Sequence, residues 1–235
     1  VALNGIAVDP VVELKQGDHI AIIGNALADR MQHDGRLETL ITARFPEHDL
    51  VFRNLAVTGD EVVTRHRSSN FGSPHDWLHR VEADVIFAFF GFNESFKDSA
   101  GLAGFKEDLT NFIVEAQAMN YGGDGAPRIV LISPIANERH RDRNFHVPSE
   151  NNTNIELYTR AMSEVASEQG VGFVNLFEPS RELFAAAAGR NNSLTINGLH
   201  LGDEGNELLA PVVFEGLFGE PAPAGDFEEL RSAIN

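Results

Sequence analysis

Residues 21–30, AIIGNALADR, join an apolar run to a helix-like segment at a corner where chemistry could occur. At such a strand-to-helix corner many hydrolases place a serine nucleophile, because backbone N–H groups at the start of a helix can bind a developing oxyanion. The residue at this corner is Ala26, whose methyl group cannot attack a carbonyl carbon. The sequence therefore has the setting of a nucleophile without the nucleophile itself.

Three further blocks carry polar residues that could share a site with this corner. Asp60 lies in TGDE (58–61), Asn93 and Glu94 lie in GFNES (91–95), and His200 lies in NGLHLGDEGN (197–206). A histidine between two leucines is most often a satisfied buried side chain, and loop carboxylates most often cap helices or pair with arginine. Asn197, three residues before His200, favours a catalytic or ligand-binding histidine instead.

The segments between these blocks alternate short apolar runs with longer helical ones. Strands are predicted at 19–25, 50–55, 84–91, 128–134 and 172–177, and helices at 26–45, 74–81, 102–120, 151–170, around 179–188 and at 203–218. Strands separated by helices of this length need right-handed crossovers, which predicts an α/β fold. We expect a three-layer α/β/α sandwich with a mostly parallel five-stranded sheet, whose ligand site lies beyond the carboxyl ends of the strands.

Length and composition predict one globular domain. We expect this domain over residues 1–220, with a tail at 221–235 whose short helix packs on the outside. The chain has no cysteine, which excludes disulfides and thiolate metal sites, and we expect no metal and no cofactor. A metal site built from His140 and His146 would lack a third ligand at a sensible spacing.

The charge balance restricts the partners. A net charge of −17 repels nucleic acid phosphates and anionic lipid surfaces, so the expected partner is a small-molecule or carbohydrate substrate and not a nucleic acid. We expect no membrane span, since no apolar run is long enough, and the first ten residues lack the pattern of a secretory signal. Because the first residue is valine, removal of an upstream segment during export to the periplasm or medium is one expectation; the oligomeric state stays open.

The four blocks, in this order at strand ends, resemble the SGNH (GDSL-type) hydrolases, a family of esterases, lipases and carbohydrate deacetylases with a flavodoxin-like fold. The similarity is sharper to SGNH-like domains of planctomycete-type bacteria, in which serine at the nucleophile position is not the rule. The runs that carry it are IGNALADRMQ, FGSP, FAFFGFNESF, SPIANE, ENN and TINGLHL. On this resemblance the alanine is either an inactivated variant or a natural departure.

The resemblance implies a role for each block. The nucleophile position falls on Ala26, and His200 falls on the general base. Gly59 would donate its backbone N–H, and Asn93 its side-chain amide, to the oxyanion. Asn197 falls where the family has an aspartate that orients the base, and its carbonyl oxygen can still accept the Nδ1–H of the ring.

Three other polar residues of the same loops are expected to contribute to substrate binding, namely Asn25, Asp60 and Glu94. Asn25 replaces the family's usual aspartate, a mild change because that side chain mainly braces the corner.

Three functions remain open. The first is hydrolysis of carbohydrate-linked esters, which needs a serine at position 26. The second is cleavage of glycosidic bonds, in which His200 and a carboxylate such as Glu94 or Asp60 would act as acid and base on a water molecule. The third is a non-catalytic carbohydrate-binding module that keeps the polar pocket for recognition.

Overall fold

The structure of the chain is a computed structural model, which describes residues 10–139 and 149–234. In these ranges five strands form one sheet, and every pairing in it is parallel. The strands are β1 (His19–Gly24), β2 (Val51–Asn54), β3 (Val85–Phe89), β4 (Arg128–Ile132) and β5 (Gly172–Val174), in the spatial order β2-β1-β3-β4-β5. The predicted α/β fold with a parallel five-stranded sheet is confirmed.

Helices cover both faces of this sheet. They are α1 (Ala26–Met31), α2 (Arg36–Arg44), α3 (Pro74–Arg80), α4 (Leu102–Gln117), α5 (Ser149–Gln169), α6 (Phe177–Gly189), α7 (Asp203–Phe218) and α8 (Glu228–Ile234). Alternate residues of β3 enter opposite cores: Phe87 packs with α2, α6 and α7, whereas Ile86 packs with α3, α4 and α5. Because strand side chains alternate between faces, this double burial explains why the central strands are apolar throughout.

The single helix predicted at 26–45 is wrong, because the structure breaks it into α1 and α2. Gly35, just before α2, has a φ of 59°, a left-handed conformation that glycine adopts without steric cost. The Oδ1 atom of Asp34 accepts the backbone N–H of Arg36 at 3.0 Å, which satisfies the first backbone donor of α2. The helical periodicity of the sequence continues through this turn and therefore hides it.

A 3-10 helix, Glu94–Ala100, begins after the short loop that follows β3 and was not predicted. Tyr158 of α5 is fully buried, and its hydroxyl donates to the carbonyl oxygen of Asp98 at 2.9 Å. This bond fixes the far end of the segment that begins next to Asn93.

The tail ends in α8, in which no side chain is buried. Arg231 of α8 donates through Nη1 to the carbonyl oxygen of Asp34 at 3.2 Å, which places the tail against the turn between α1 and α2. The division into a 1–220 domain and a tail stays a prediction.

None of the helices in the described ranges is long and apolar enough to cross a membrane.

Candidate active site

The corner between β1 and α1 is built by backbone geometry. Gly24 has a φ of 133°, and a Cβ there would collide with the carbonyl oxygen of Phe89 in β3. That same oxygen accepts the backbone N–H of Asn25 at 3.2 Å. The Oδ1 atom of Asn25 accepts the backbone N–H of Leu27 at 3.4 Å and caps α1, so Ala26 is the first helical residue. The corner is thus held by β3 and by the cap, not by the side chain at position 26.

A cavity of about 220 Å³ lies at this corner, at the carboxyl end of the sheet. Ala26, Gly59, Asn93 and His200, which belong to four separate blocks of the sequence, all line it. The other residues around it are Asn25, Leu27, Thr58, Phe92, Pro134, Ile135, Asn137 and Leu199. The structure therefore brings together the predicted nucleophile position, oxyanion donors and base, and its lining is mixed apolar and polar, as ligand pockets are.

The loop that carries Gly59 is fastened on both sides. Thr58 donates to Oδ2 of Asp29 in α1 through its backbone N–H at 3.1 Å and through its hydroxyl at 2.6 Å. On the other side, Nδ2 of Asn93 donates to the carbonyl oxygen of Asp60 at 2.9 Å. An amide nitrogen has two hydrogens, so Asn93 can hold the loop and still offer one N–H to a bound oxyanion.

His200 is held by Asn197 through one oxygen atom. Oδ1 of Asn197 accepts the backbone N–H groups of Leu199 and His200, at 3.2 and 3.0 Å, and lies 3.1 Å from the ring Nδ1. Those two N–H donors identify the side-chain atom of Asn197 as its oxygen, which can only accept hydrogen bonds. The ring of His200 must therefore carry its hydrogen on Nδ1, and Nε2 is free to accept a proton. Burial and the positive charge of Arg30 lower the pKa of His200, which favours the neutral ring that a general base requires.

The two loop carboxylates have partners outside the cavity. Both oxygens of Asp60, which is buried, accept from the guanidinium of Arg67, at 2.9 and 2.7 Å. Glu94 is also buried, and its oxygens accept the backbone N–H groups of Val62 and Gly91, each at 2.9 Å. Burial raises the pKa of Glu94 to about 7. Neither residue is among those that line the cavity, so we assign both a positioning role in place of the expected contact with substrate.

Glu138 is a site residue that the sequence reasoning missed. Its carboxylate is buried and accepts the backbone N–H groups of Leu194 and Thr195, at 2.9 and 2.8 Å, and the hydroxyl of Thr195 at 2.5 Å. The Thr195 hydroxyl in turn accepts the N–H of Gly198 at 2.9 Å. Glu138 therefore fixes the loop that carries Asn197 and His200. The signal that could have found it is a glutamate in SPIANE, next to the end of a buried strand.

Asp29 and Asn137 were missed as well. Asp29 holds Thr58, as described above, and Asn137 lines the cavity. The backbone of Asn137 is fixed by the side chain of Asn152, which accepts its N–H at 2.7 Å and donates to its carbonyl oxygen at 3.0 Å. In the part of the chain that the structure describes, no group of three acidic or histidine side chains could hold a metal ion. His140 and His146 lie outside the described residues.

The chain is similar to known proteins in sequence and in fold. The sequence model of the GDSL-like lipase/acylhydrolase family matches residues 17–208. The fold is similar to that of Axe2, an acetylxylan esterase from Geobacillus stearothermophilus, with a TM-score of 0.66 and 15% identity over 91% of this chain and 100% of that one. A catalytic mutant of the same esterase superposes with a TM-score of 0.64 at 16% identity, over 91% of this chain and 100% of that one.

A further structural relative is BT4096, described as a gut microbial diltiazem-metabolizing enzyme, with a TM-score of 0.68 and 16% identity. The match covers 90% of this chain and 48% of that protein, so this chain spans about half of its length. No curated protein sequence matches the chain. The similarity to planctomycete-type domains stays a prediction. Because the family match extends over most of the sequence, the chain belongs to the GDSL-like lipase/acylhydrolase family of hydrolases.

Proposed function

We propose that the cavity at the β1–α1 corner is an ester-binding site for acylated carbohydrates, and that hydrolysis of the ester there requires a hydroxyl in place of the methyl group of Ala26. The observation that carries the proposal is that Ala26, Gly59, Asn93 and His200 line one cavity. Acetyl groups are small enough for a cavity of about 220 Å³. The structural similarity to an acetylxylan esterase supports an acetylated sugar as the substrate class.

Ester hydrolysis at this site can use the residues that are present together with a serine at position 26. The serine oxygen bonds to the acyl carbon while Nε2 of His200 takes the hydroxyl proton. The carbonyl oxygen becomes negative and is bound by the N–H of Gly59 and the amide of Asn93. The bond to the sugar oxygen then breaks and His200 returns the proton to that oxygen. Water attacks the acyl group with the same proton transfers and releases the acid.

The chain keeps Gly59, Asn93 and His200 in this cavity but lacks the attacking oxygen at position 26. It should therefore bind the ester and turn it over slowly or not at all. Non-catalytic recognition of acylated sugars is a second candidate function, and Ala26 is the observation that favours it. Cleavage of a glycosidic bond is less well supported, because it needs a carboxylate beside His200 at the substrate, whereas Asp60 and Glu94 are hydrogen-bonded to other groups and do not line the cavity.

The decisive experiment compares the parent chain with Ala26→Ser. We expect Ala26→Ser to release acetate from acetylated xylo-oligosaccharides at about 10³ times the buffer rate or more, and the parent chain to stay near the buffer rate. The control is Ala26→Ser combined with His200→Ala, which keeps the new hydroxyl but removes its base and should return to the parent level. If Ala26→Ser does not exceed the buffer rate, the esterase proposal is wrong. Saturable binding of the same oligosaccharides by both proteins without turnover would then favour the recognition role.

A further inference from the structure

A second cavity, of about 390 Å³, shares the β2 loop with the candidate active site. Val57 lines this second cavity, and the next two residues of the chain line the first. Most of its wall is apolar and includes Val63, Phe71 and Trp77. Val63 and Phe71 are 63% and 41% exposed, which is high for large apolar side chains and leaves apolar surface for a ligand to cover. We name this space the Trp77 cavity.

Two of the three polar side chains in the Trp77 cavity already have partners. The amide of Asn54 donates to the carbonyl oxygen of Ala28 at 2.7 Å and accepts the N–H of Ala56 at 3.0 Å. The guanidinium of Arg67 forms the two-point ion pair with Asp60. These groups are therefore part of the wall, and a ligand would gain little from them.

Arg65 is the third polar side chain, and it forms no ion pair with any residue that the structure describes. Its Nη2 atom makes one long hydrogen bond, 3.4 Å, to the carbonyl oxygen of Val62, and its Nε atom is buried without a partner. The carboxylates that stabilise its charge from a distance are those of Asp60 and Glu94, both of which are hydrogen-bonded to other groups. Burial lowers the pKa of Arg65. The guanidinium lies over the ring of Phe90, with 5.4 Å from Cζ to the ring centroid, so the nearest group that stabilises its charge is an aromatic ring and not a carboxylate.

A guanidinium without a carboxylate in ion-pair contact is unusual in a chain with a net charge of −17. A guanidinium is the side chain best suited to bind a carboxylate through parallel hydrogen bonds. The apolar wall offers contact area but few hydrogen-bond partners, which disfavours a polyhydroxylated ligand.

We infer that the Trp77 cavity binds a small monocarboxylate with an apolar or aromatic body, whose carboxylate pairs with Arg65 and whose body packs against Val63, Phe71 and Trp77. This site is separate from the esterase site and does not depend on the residue at position 26. Aromatic and aliphatic acids share the required chemistry, and the experiment distinguishes them.

Trp77 makes the test direct, because it is the only tryptophan of the chain and it lines this cavity. The probe is 3-phenylpropionate, titrated into the parent chain, and the matched neutral ligand is 3-phenylpropionamide. We expect a saturable fluorescence change with the acid and binding at least about 10-fold weaker with the amide, since the neutral amide cannot form a charge-assisted pair with arginine. Hexanoate and glucuronate are added to compare an aliphatic acid and a sugar acid with the aromatic one.

Arg65→Gln should weaken binding of 3-phenylpropionate about 10-fold or more. Arg80→Gln is the matched control, because Arg80 also stacks on Trp77, at 4.7 Å, but is not among the residues that line the cavity. The affinity of Arg80→Gln for 3-phenylpropionate should stay within about twofold of the parent value. Equal binding of acid and amide, or unchanged binding by Arg65→Gln with retained circular dichroism, would overturn the inference, as would tighter binding of glucuronate than of either apolar acid. Acetate release by Ala26→Ser is measured separately, so failure of one proposal does not affect the other.

Discussion

The ring of His200 is oriented by a neutral oxygen: Oδ1 of Asn197 lies 3.1 Å from its Nδ1 and also accepts the backbone N–H of the same histidine at 3.0 Å. An amide oxygen can fix the tautomer and direction of the ring. It stabilises the positive charge of an imidazolium much less than a carboxylate would. The base of this site is therefore well positioned but weak.

Replacing Asn197 by aspartate should strengthen the base. In the Ala26→Ser background we expect Asn197→Asp to raise kcat about 10-fold or more, because the carboxylate stabilises the imidazolium that forms during attack. The same change should raise the pKa of His200 and move the acid limb of the pH profile to higher pH. The measurement is kcat for acetate release between pH 4.5 and 8.

Asn191→Asp is the control for this comparison, since it makes the same chemical change at an exposed position. It should leave both kcat and the acid limb where they are in Ala26→Ser. An Asn197→Asp protein that is no faster, with an unmoved pH profile, would contradict the role assigned to Asn197.

The pH dependence should also respond to Arg30. Burial, followed by the charge of Arg30, lowers the pKa of His200 below its usual value of 6.5, so activity of Ala26→Ser should fall only as the pH drops below that value. Arg30→Gln removes a positive charge and should therefore raise the pKa and shift the acid limb upward. Arg181→Gln, an exposed change on α6, should leave it in place. A limb that moves equally in both variants would rule out a specific effect of Arg30.

The loop that carries the histidine should depend on Glu138 for its stability. Glu138→Ala leaves three donors, two backbone N–H groups and one hydroxyl, without their acceptor in a buried place. We expect a loss of about 3 kcal/mol or more in the free energy of unfolding, measured by urea denaturation. Glu138→Gln keeps one acceptor oxygen and should lose less.

A surface glutamate provides the comparison for Glu138. Glu156→Ala removes an exposed ion pair with Arg160 and should change the free energy of unfolding by less than about 1 kcal/mol. Similar losses for Glu138→Ala and Glu156→Ala would show that the carboxylate of Glu138 does not hold the loop.

Much of this fold is visible in the sequence, because the information is local. The strands are apolar runs of the right length, and the parallel arrangement follows from the helices between them. The strand ends predicted at 25, 55, 91, 134 and 177 lie one to three residues beyond those observed, since the predicted segments continue into the connections that follow each strand. The break before Gly35 escaped detection because its neighbours keep helical spacing.

The residues that stabilise the site were harder to find. Glu138 and Asp29 act on loops that are distant in sequence, on Thr195 and Thr58 respectively, and no local pattern reports such a contact. The roles of Asp60 and Glu94 could not be decided for a related reason. A carboxylate on a strand-end loop can face the cavity or the loop itself, and only packing decides between them.

Glu94 should make the stability of the protein depend on pH. Burial raises its pKa in the folded state to about 7, whereas the unfolded chain loses the proton near 4.5. Between these values the folded protein holds the proton and the unfolded chain does not, so the free energy of unfolding should fall as the pH rises from about 4.5 to 7. The full difference is on the order of 3 kcal/mol.

Comparison of the parent chain with a variant that lacks Glu94 removes the contribution of the other titrating groups to the pH dependence. Urea unfolding is followed at pH 5 and pH 8 for the parent chain and for Glu94→Gln, which cannot ionise. The parent chain should lose more stability between the two pH values than the variant does, whatever the constant cost of the substitution. An equal loss in both proteins would mean that Glu94 is already ionised in the folded state at pH 5.

The bond from Asn25 to the carbonyl oxygen of Phe89 has an implication for how this kind of protein changes over time. Since neighbouring backbone, and not residue 26, secures the bend, replacing that residue leaves the framework intact. A serine hydroxyl can therefore be gained or lost at position 26 without a change of fold. A change in one codon is then enough to convert a catalytically active protein into an inactive one, or the reverse.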